Sequence, residues 1–234
     1  MLILSLVLES AISPLIAQPM FYETCLVLTC IIGDNCLEHY FIVDEGSSQI
    51  NQRRMMWTRA LFDNITHGIV GFFSWAIVIN FNFKVNQIVS LLLCFFLALG
   101  VDLDHFIEAK STDIKDAINV TRRPPFHQST IIPLVSGTAS LFGYLFDSKL
   151  LKIFSLLFIT AWLSHHIRDA TRRGLWFPPI GSTPPIPYKL YLCLIMLLPL
   201  GIRTIYSLTI DYMDVCRGSV AACGLVGPKE GTQK

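Results

Sequence analysis

The sequence predicts an all-α fold, a multi-pass bundle of about six transmembrane helices joined by short loops. Hydrophobic residues make up 53% of the 234 residues and charged residues only 15%, whereas soluble domains contain about 25% charged residues. The mean hydropathy is +0.54. Uncharged apolar runs, such as residues 85–101, recur along the chain, and about 20 apolar residues are enough to cross a bilayer as a helix.

The predicted spans follow one another in the order of the chain. The first apolar region, residues 2–38, is long enough for either one span or two, and a cleaved signal peptide at residues 1–17 is a further alternative. Clearer apolar runs then predict spans at 61–80, 85–105, 129–146, 150–169 and 188–210. Residues 1–210 therefore predict one transmembrane helical domain. Residues 211–234 predict a polar tail that we expect to be disordered.

Alternation of the spans brings polar residues to one side of the membrane. The span 85–105 ends on that side with Asp102, Asp104 and His105, and the span 150–169 also ends there. The polar segment 108–128 stays on the same side. Five of the six histidines share this side, namely His67, His105, His127, His165 and His166. Ionisable residues at membrane depth are costly and usually functional, so we predict a functional site here.

Basic residues predict the orientation of the bundle. The histidine-rich side carries eleven lysines and arginines, against six on the opposite side and in the tail. Basic loops resist translocation, so an excess of them marks the cytoplasmic side. We therefore predict an integral membrane protein with its histidine-rich face in the cytoplasm. The sequence assigns neither an organelle nor an oligomeric state. No basic tract is long enough to indicate a nucleic-acid partner.

The polar residues on this side are of the types that bind metal ions. Asp102 and His105 are three residues apart and share a helix face, as do His165 and Asp169, four apart. His166 and Asp169 form a rival pair of similar spacing. Mixed imidazole and carboxylate ligands suit a divalent metal, zinc first and manganese or iron as alternatives. The predicted metal ligands are His67, Asp102, His105, His127, His165 and Asp169.

Other residues on this side predict accessory roles. Asp104 points away from the Asp102 face of a regular helix, so it could orient a ligand, or bind the metal itself if the helix frays at its end. As a carboxylate outside the ligand set, it is predicted to serve as a general base. Accessory positions are His166 and three arginines that could hold a phosphate, Arg122, Arg123 and Arg168. Each residue also has a purely structural explanation. His67 could form a hydrogen bond between helices, His127 could be an ordinary loop residue, and the arginines could serve only to fix the topology.

Four short motifs resemble a family of bacterial inner-membrane proteins grouped as membrane-bound metal-dependent hydrolases. In order, they are the lone His67, Val-Asp-Leu-Asp-His at 101–105, Phe-His-Gln-Ser at 126–129 and Ser-His-His-Ile-Arg-Asp at 164–169. The resemblance implies metal positions at His67, Asp102, Asp104, His105, His127, His165 and Asp169. His166 has no counterpart. Two departures are Val101 in place of a proline and Arg-Pro-Pro-Phe-His in place of a motif with one more histidine.

Longer motifs are similar to the animal transmembrane protein 267 family. They are Ala-Leu-Phe-Asp-Asn at 60–64 with His67, Arg-Arg-Pro-Pro-Phe-His at 122–127, and residues 164–176. The similarity covers about residues 20–205. It implies a multi-pass membrane protein and assigns no activity.

Two functions follow from these patterns. The first is a metal-dependent hydrolase acting at the cytoplasmic membrane interface, with the bilayer as partner and a lipid or phospholipid as substrate. The alternative is a non-enzymatic membrane scaffold or interaction protein that keeps a structural or vestigial metal site. A di-iron desaturase is disfavoured because such enzymes carry about eight histidines in three boxes. A transporter is disfavoured because transport sites lie near the midplane, whereas these residues lie at the ends of spans.

Overall fold

A computed structural model describes residues 2–41, 46 and 48–211. This part of the chain is almost entirely helical and confirms the predicted all-α fold of a multi-pass membrane bundle. Met1 and residues 212–234, which include nearly all of the predicted polar tail, lie outside the described residues. The helices are α1 (Leu2–His39), α2 (Gln49–Val78), α3 (Val85–Gly100), α4 (Asp104–Ala109), α5 (Ile114–Ile118), α6 (Ile131–Leu145), α7 (Lys149–Arg173) and α8 (Tyr188–Tyr206).

Five stretches of helix are long and apolar enough to cross a membrane: Gln18–His39, Gln49–Val78, Val85–Ala109, Lys149–Arg173 and Tyr188–Ile210. The sixth apolar helix, α6, has 15 residues and is therefore about 22 Å long, shorter than a hydrocarbon core of about 30 Å. The apolar region at the N-terminus forms the single helix α1 rather than two.

Helices α2 and α7 form the centre of the bundle. In the most apolar stretch of 18 residues, 56% of α2 and 61% of α7 is buried inside the bundle, against 22% for the spans that contain α3 and α8. Trp75 of α2 and Tyr191 of α8 are fully buried in the shared core. Exposed leucines and phenylalanines cover the outer helices, as expected where lipid replaces water as the solvent. The two buried helices carry most of the site residues.

Helix α2 begins about twelve residues before the span that hydropathy predicts at 61–80. The side chain of Ser48 accepts a hydrogen bond from the backbone N–H of Asn51 and caps the helix. No proline or glycine interrupts residues 49–67, so the helix continues through this polar stretch. Hydropathy detects only its membrane part.

Helix α3 does not continue regularly into α4. Residues Val101–Leu103 form a 3-10 turn between them, which is tighter than the α-helix and rotates the residues that follow. Asp104 is fully buried as a result. The simple helical face predicted for Asp102 and His105 is therefore modified at the point where the polar residues begin.

A small hairpin follows α7 and was not predicted from the sequence. Helix α7 ends at Gly174, whose positive φ of 69° suits glycine. Strands β1 (Trp176–Phe177) and β2 (Gly181–Ser182) then pair antiparallel. The N–H of Ser129 donates to the carbonyl of Trp176 at 2.7 Å. This hydrogen bond holds the 125–129 segment beside the end of α7.

Candidate metal centre

Four ligand-type side chains from three parts of the chain converge at one end of the bundle. They are Asp102 after α3, His127 in a 3-10 turn at Pro125–His127, and His165 and Asp169 in α7. One nitrogen or oxygen atom from each lies within 4.8 Å of the others. Asp102 and Asp169 are each 24% exposed, His127 is 14% exposed and His165 is buried. The group is therefore buried but can be reached from one side.

The hydrogen bond of His165 leaves a bare nitrogen at the centre. Its Nδ1 lies 2.9 Å from the carbonyl oxygen of Ala98. A carbonyl can only accept, so Nδ1 carries the proton, and Nε2 of the neutral ring presents a lone pair. This Nε2 is buried without a hydrogen-bond partner. It lies 3.5 Å from Asp102 Oδ1 and 3.4 Å from Asp169 Oδ2.

His127 is oriented in the same way by Asp104. Its Nδ1 lies 3.2 Å from Asp104 Oδ2, which also accepts the backbone N–H of Phe126 at 2.6 Å. The Nε2 atom of the neutral ring then has a lone pair and faces Asp102 Oδ1 at 3.4 Å and Asp169 Oδ2 at 3.2 Å. A carboxylate behind a histidine that faces a metal is a common arrangement in metal sites.

The spacing of these atoms fits tetrahedral coordination. The four nitrogen–oxygen distances between the two histidines and the two aspartates lie between 3.2 and 3.5 Å. Ligands about 2.0–2.1 Å from a tetrahedral zinc ion are separated by about 3.3 Å. When both histidine rings are neutral, these four atoms are all acceptors, and they repel one another unless a proton or a metal ion lies between them. The residues therefore fit a divalent metal ion.

The electrostatics of His127 point the same way. Burial alone would lower its pKa, but hydrogen bonds to Asp102, Asp104 and Asp169 outweigh burial and raise the pKa to about 12. The carboxylates thus create a strongly negative potential at the ring. A metal ion can occupy the place that a proton would otherwise take.

His67 lies beside the four-atom group rather than in it. Its ring stacks on that of His165, with 3.8 Å between centroids. Its Nε2 is 3.3 Å from Asp169 Oδ1, the carboxylate oxygen that faces away from His127 and His165. This geometry suits a hydrogen bond that orients Asp169. The position of His67 therefore favours this orienting role over the predicted role as a direct metal ligand.

His105 occupies the edge of the centre. Its Nδ1 lies 3.0 Å from the carbonyl oxygen of Ala117, so the neutral ring again presents a bare Nε2. That atom is 3.9 Å from Asp102 Oδ1. His105 also forms a second group of ligand-type residues with Asp104 and His127. It is placed to act on a molecule beside the metal centre or to bind a metal from that side.

Asp104, which the sequence predicts as the general base, has a different position. Its side chain is fully buried, and it does not line the cavity described below. The 3-10 turn before α4 points it inward, where it fixes His127. A base must reach a reacting molecule, so this position suits an orienting role instead.

The predicted accessory residues separate into different environments. The two ring nitrogens of His166 contact the Phe126 carbonyl at 3.0 Å and Ser129 Oγ at 3.4 Å, so neither faces the centre. Arg122 is exposed. Arg123 lines the cavity and donates to the backbone carbonyls of Arg173 and Gly174. Arg168 is buried and binds carboxylates, so it is not available to a phosphate.

Two aspartates that surround Arg168 had no predicted role. Arg168 contacts Asp34 of α1 at 2.9 Å and Asp63 of α2 at 2.5 Å. Asp63 also binds Arg172 at 2.7 Å. The i,i+4 spacing of Asp63 and His67 is the signal that could have identified Asp63. Asp34 carries no local signal, because its partner lies 134 residues away.

A cavity of about 620 Å³ opens beside the centre. Asp102, His105, His127 and Asp169 line its polar side, together with arginines. Apolar side chains line the rest, among them Trp57, Leu61, Leu103 and Phe106. Its volume lies within the range of about 300–1,000 Å³ that is typical of ligand pockets. A molecule in this cavity would reach three of the four converging side chains.

Three vertebrate relatives resemble this chain over most of its length. Each is named transmembrane protein 267. The mouse protein is 40% identical over 175 residues, which is 74% of this chain and 76% of the relative. The Xenopus laevis protein is 39% identical over 191 residues, 81% and 83% of the two chains. The Danio rerio protein is 40% identical over 183 residues, 77% of each chain.

No family model matches the chain, and no solved structure matches it significantly. The resemblance to bacterial membrane-bound hydrolases is therefore not supported by these comparisons.

Proposed function

This chain belongs to the transmembrane protein 267 family, and we propose that it is a metal-dependent hydrolase with its centre at one membrane interface. One observation carries the proposal. The Nε2 atoms of His127 and His165 lie 3.2–3.5 Å from carboxylate oxygens of Asp102 and Asp169, and one ligand atom from each of the four residues lies within 4.8 Å of the others, beside an accessible cavity. A cation would stabilise such a group of atoms. Because the group lines a cavity, a substrate bound in the cavity could reach the cation.

The residues of the centre would have different roles in hydrolysis. Asp102, His127, His165 and Asp169 would hold the ion, with zinc the best match to the spacing and manganese or iron as alternatives. A bound zinc ion supplies a Lewis acid and lowers the pKa of a water molecule to about 7. The lone pair of His105 Nε2 faces the cavity and is placed to accept a proton from water. Asp104 and His67 hold His127 and Asp169 in position.

The orientation and the substrate belong to this proposal as well. Arginines Arg53, Arg54 and Arg59 lie on the same side as the centre, which supports a cytoplasmic location. The cavity opens among apolar side chains of a membrane bundle, which supports a lipid as the substrate.

A second function has one observation in its favour. Four protein ligands complete a tetrahedral site, and closed sites of this kind are usually structural. In that case the chain is a membrane scaffold stabilised by its metal. The access of the cavity to Asp102, His127 and Asp169 argues for the hydrolase, because a structural site has no need of it.

Turnover separates the two functions. The purified full chain is reconstituted in vesicles that contain phosphatidylcholine, phosphatidylserine, phosphatidylglycerol and phosphatidic acid, and products are followed by mass spectrometry. A hydrolase releases a product that disappears when the metal is removed by a chelator and returns with zinc. Asp169→Asn should abolish it, and Asp116→Asn, which changes an exposed carboxylate outside the cavity, should not. Stable metal binding without a product from any lipid would favour the scaffold.

A further inference from the structure

The lining of the cavity beside the metal centre combines two kinds of side chain. Four arginines, which we call the rim arginines, line it together with the carboxylates Asp102 and Asp169: Arg59, Arg123, Arg172 and Arg173. Apolar side chains from α2, the 3-10 turn, α4 and α5 line it as well. A small polar metabolite would contact the charged residues only, and a hydrocarbon would contact the apolar residues only. The lining therefore suits a molecule with an anionic head and an apolar tail.

Two of the rim arginines are free to bind an anion. Arg123 donates to the backbone carbonyls of Gly174 and Arg173, and these carbonyls do not neutralise its charge. No carboxylate among the described residues forms an ion pair with Arg123 or Arg173. Burial and the nearby charge of Arg173 lower the pKa of Arg123. Two neighbouring guanidinium groups of this kind are stabilised by a phosphate, which accepts several charge-assisted hydrogen bonds.

The other two rim arginines differ from this pair. Arg172 binds Asp63 at 2.7 Å and is already neutralised. Arg59 donates to the carbonyl of Phe41, away from the metal centre. The anion position is therefore at Arg123 and Arg173.

The apolar side of the cavity is continuous with the outer surface of the bundle. The Trp57 and Phe106 rings stack in its wall, with 5.7 Å between centroids. Leu61 and Leu103 line the same cavity and are 58% and 54% exposed. Large exposed apolar side chains on a membrane bundle face lipid. A lipid molecule can therefore reach the cavity from the bilayer.

We propose that this cavity binds a lipid with an anionic phosphate headgroup. The phosphate lies against Arg123 and Arg173, and one acyl chain lies along Trp57 and Phe106. That the phosphate ester points toward the metal centre is a part of this proposal that rests on the proposed hydrolase function. Binding of the lipid does not depend on turnover, so it can be tested by itself.

Native mass spectrometry of the detergent-solubilised full chain tests the proposal. Three probes are titrated: dioleoyl phosphatidic acid, dioleoylglycerol, which lacks the phosphate, and dioleoyl phosphatidylcholine, which has no net charge. We expect a one-to-one complex with phosphatidic acid and at least about tenfold weaker binding of the other two. Dioleoylglycerol loses the charge-assisted hydrogen bonds, and in phosphatidylcholine the choline cation offsets the single phosphate charge and repels the arginines. Inorganic phosphate in modest excess should not displace the lipid, because it cannot occupy the apolar wall.

Variants locate the binding. Arg123→Gln and Arg173→Gln should each weaken the phosphatidic acid complex about tenfold, and Trp57→Ala should weaken it through the chain. Arg54→Gln is the matched control, because it removes an exposed arginine of α2 that does not line the cavity. Arg173 is exposed and its side chain holds no backbone carbonyl, so its variant is informative even where Arg123→Gln impairs folding.

The outcomes separate this proposal from the proposed function. Equal binding of the three lipids, equal binding by Arg173→Gln and Arg54→Gln, or full displacement by inorganic phosphate would overturn the lipid site. Metal content is measured on the same samples. If the protein contains no metal but still prefers phosphatidic acid, the lipid site is supported and the hydrolase is not. If the protein contains metal but does not prefer phosphatidic acid, the metal centre is supported and this class of substrate is not.

Discussion

The carbonyl of Ala98 and the carboxylate of Asp104 determine the chemistry of the centre, although neither is a proposed ligand. Each accepts a hydrogen bond from the Nδ1–H of a histidine and so leaves the Nε2 lone pair facing Asp102 and Asp169. Sequence spacing predicted that these residues would be close to one another. It could not predict which nitrogen would face which oxygen, because the partners come from other helices.

Adjacent histidines in α7 have different hydrogen-bond partners, although both are buried and both are predicted to pair with Asp169. His165→Ala should remove most of the bound metal, because it deletes one of four converging atoms. His166→Ala is the matched control and should keep the metal, since its nitrogens bind Phe126 and Ser129 instead. Metal content by inductively coupled plasma mass spectrometry checks this. Equal loss in both variants would contradict the assigned ligand set.

Asp104 is buried behind His127, a position that suits an orienting role better than the predicted role of general base. Asp104→Asn should lower metal affinity about 10–100-fold without abolishing it, as expected for a group that only orients a ligand. Competition with a zinc chelator measures the change. Loss as complete as in Asp102→Asn would mean that Asp104 binds the metal directly, and an unchanged affinity would mean that the hydrogen bond to His127 has no effect.

At the scale of helices, hydropathy predicted five helices that are long enough to cross a membrane, because lipid selects for apolar length. The helix in the predicted span 129–146, α6, is shorter than such a span. Hydropathy did not predict the polar extension of α2, the 3-10 turn before α4 or the hairpin after α7. These depend on a local cap at Ser48 and on the hydrogen bond between Ser129 and Trp176, which leave no trace in average hydropathy. The parts of the fold that place the site are thus those that sequence reasoning described least well.

Arg168 connects three helices through carboxylates on α1 and α2. Its side chain is 2% exposed, and its partners Asp34 and Asp63 are 24% and 21% exposed. Arg168→Met leaves both carboxylates without this partner and should lower the free energy of unfolding by about 3 kcal/mol. Arg172→Met removes a half-exposed partner of Asp63 and should cost about 1 kcal/mol or less. Thermal unfolding in detergent compares them, and equal effects would refute the assigned role of Arg168.

Close packing of α2 against α3 keeps Ala98 within reach of His165. A Cβ atom added at Gly71 would lie 2.9 Å from Ala98 Cβ and 3.3 Å from the Cys94 carbonyl oxygen. Gly71→Ala should therefore destabilise the protein by about 1–3 kcal/mol. Gly137→Ala is the control, because nothing lies within 4 Å of its added Cβ. It should be neutral or stabilising. The same behaviour of both variants in thermal unfolding would show that the contact is not tight.

For the whole molecule, the fold gathers at one end of a membrane bundle residues that are scattered along the sequence. Alternation of the spans was enough to predict that end, since each crossing reverses direction. The composition of the cavity was not predictable, because its wall uses Trp57 and Phe106, which look like ordinary apolar residues in the sequence. Membership in the transmembrane protein 267 family supports the membrane fold and leaves the chemistry to these residues.

Metal stoichiometry of the purified full chain tests the central claim most directly. We expect about one equivalent of a divalent transition metal, zinc first, per chain, with most of it lost in His165→Ala and in Asp169→Asn and retained in His166→Ala. Less than about 0.2 equivalents after incubation with zinc, or a metal content that His165→Ala leaves unchanged, would contradict it.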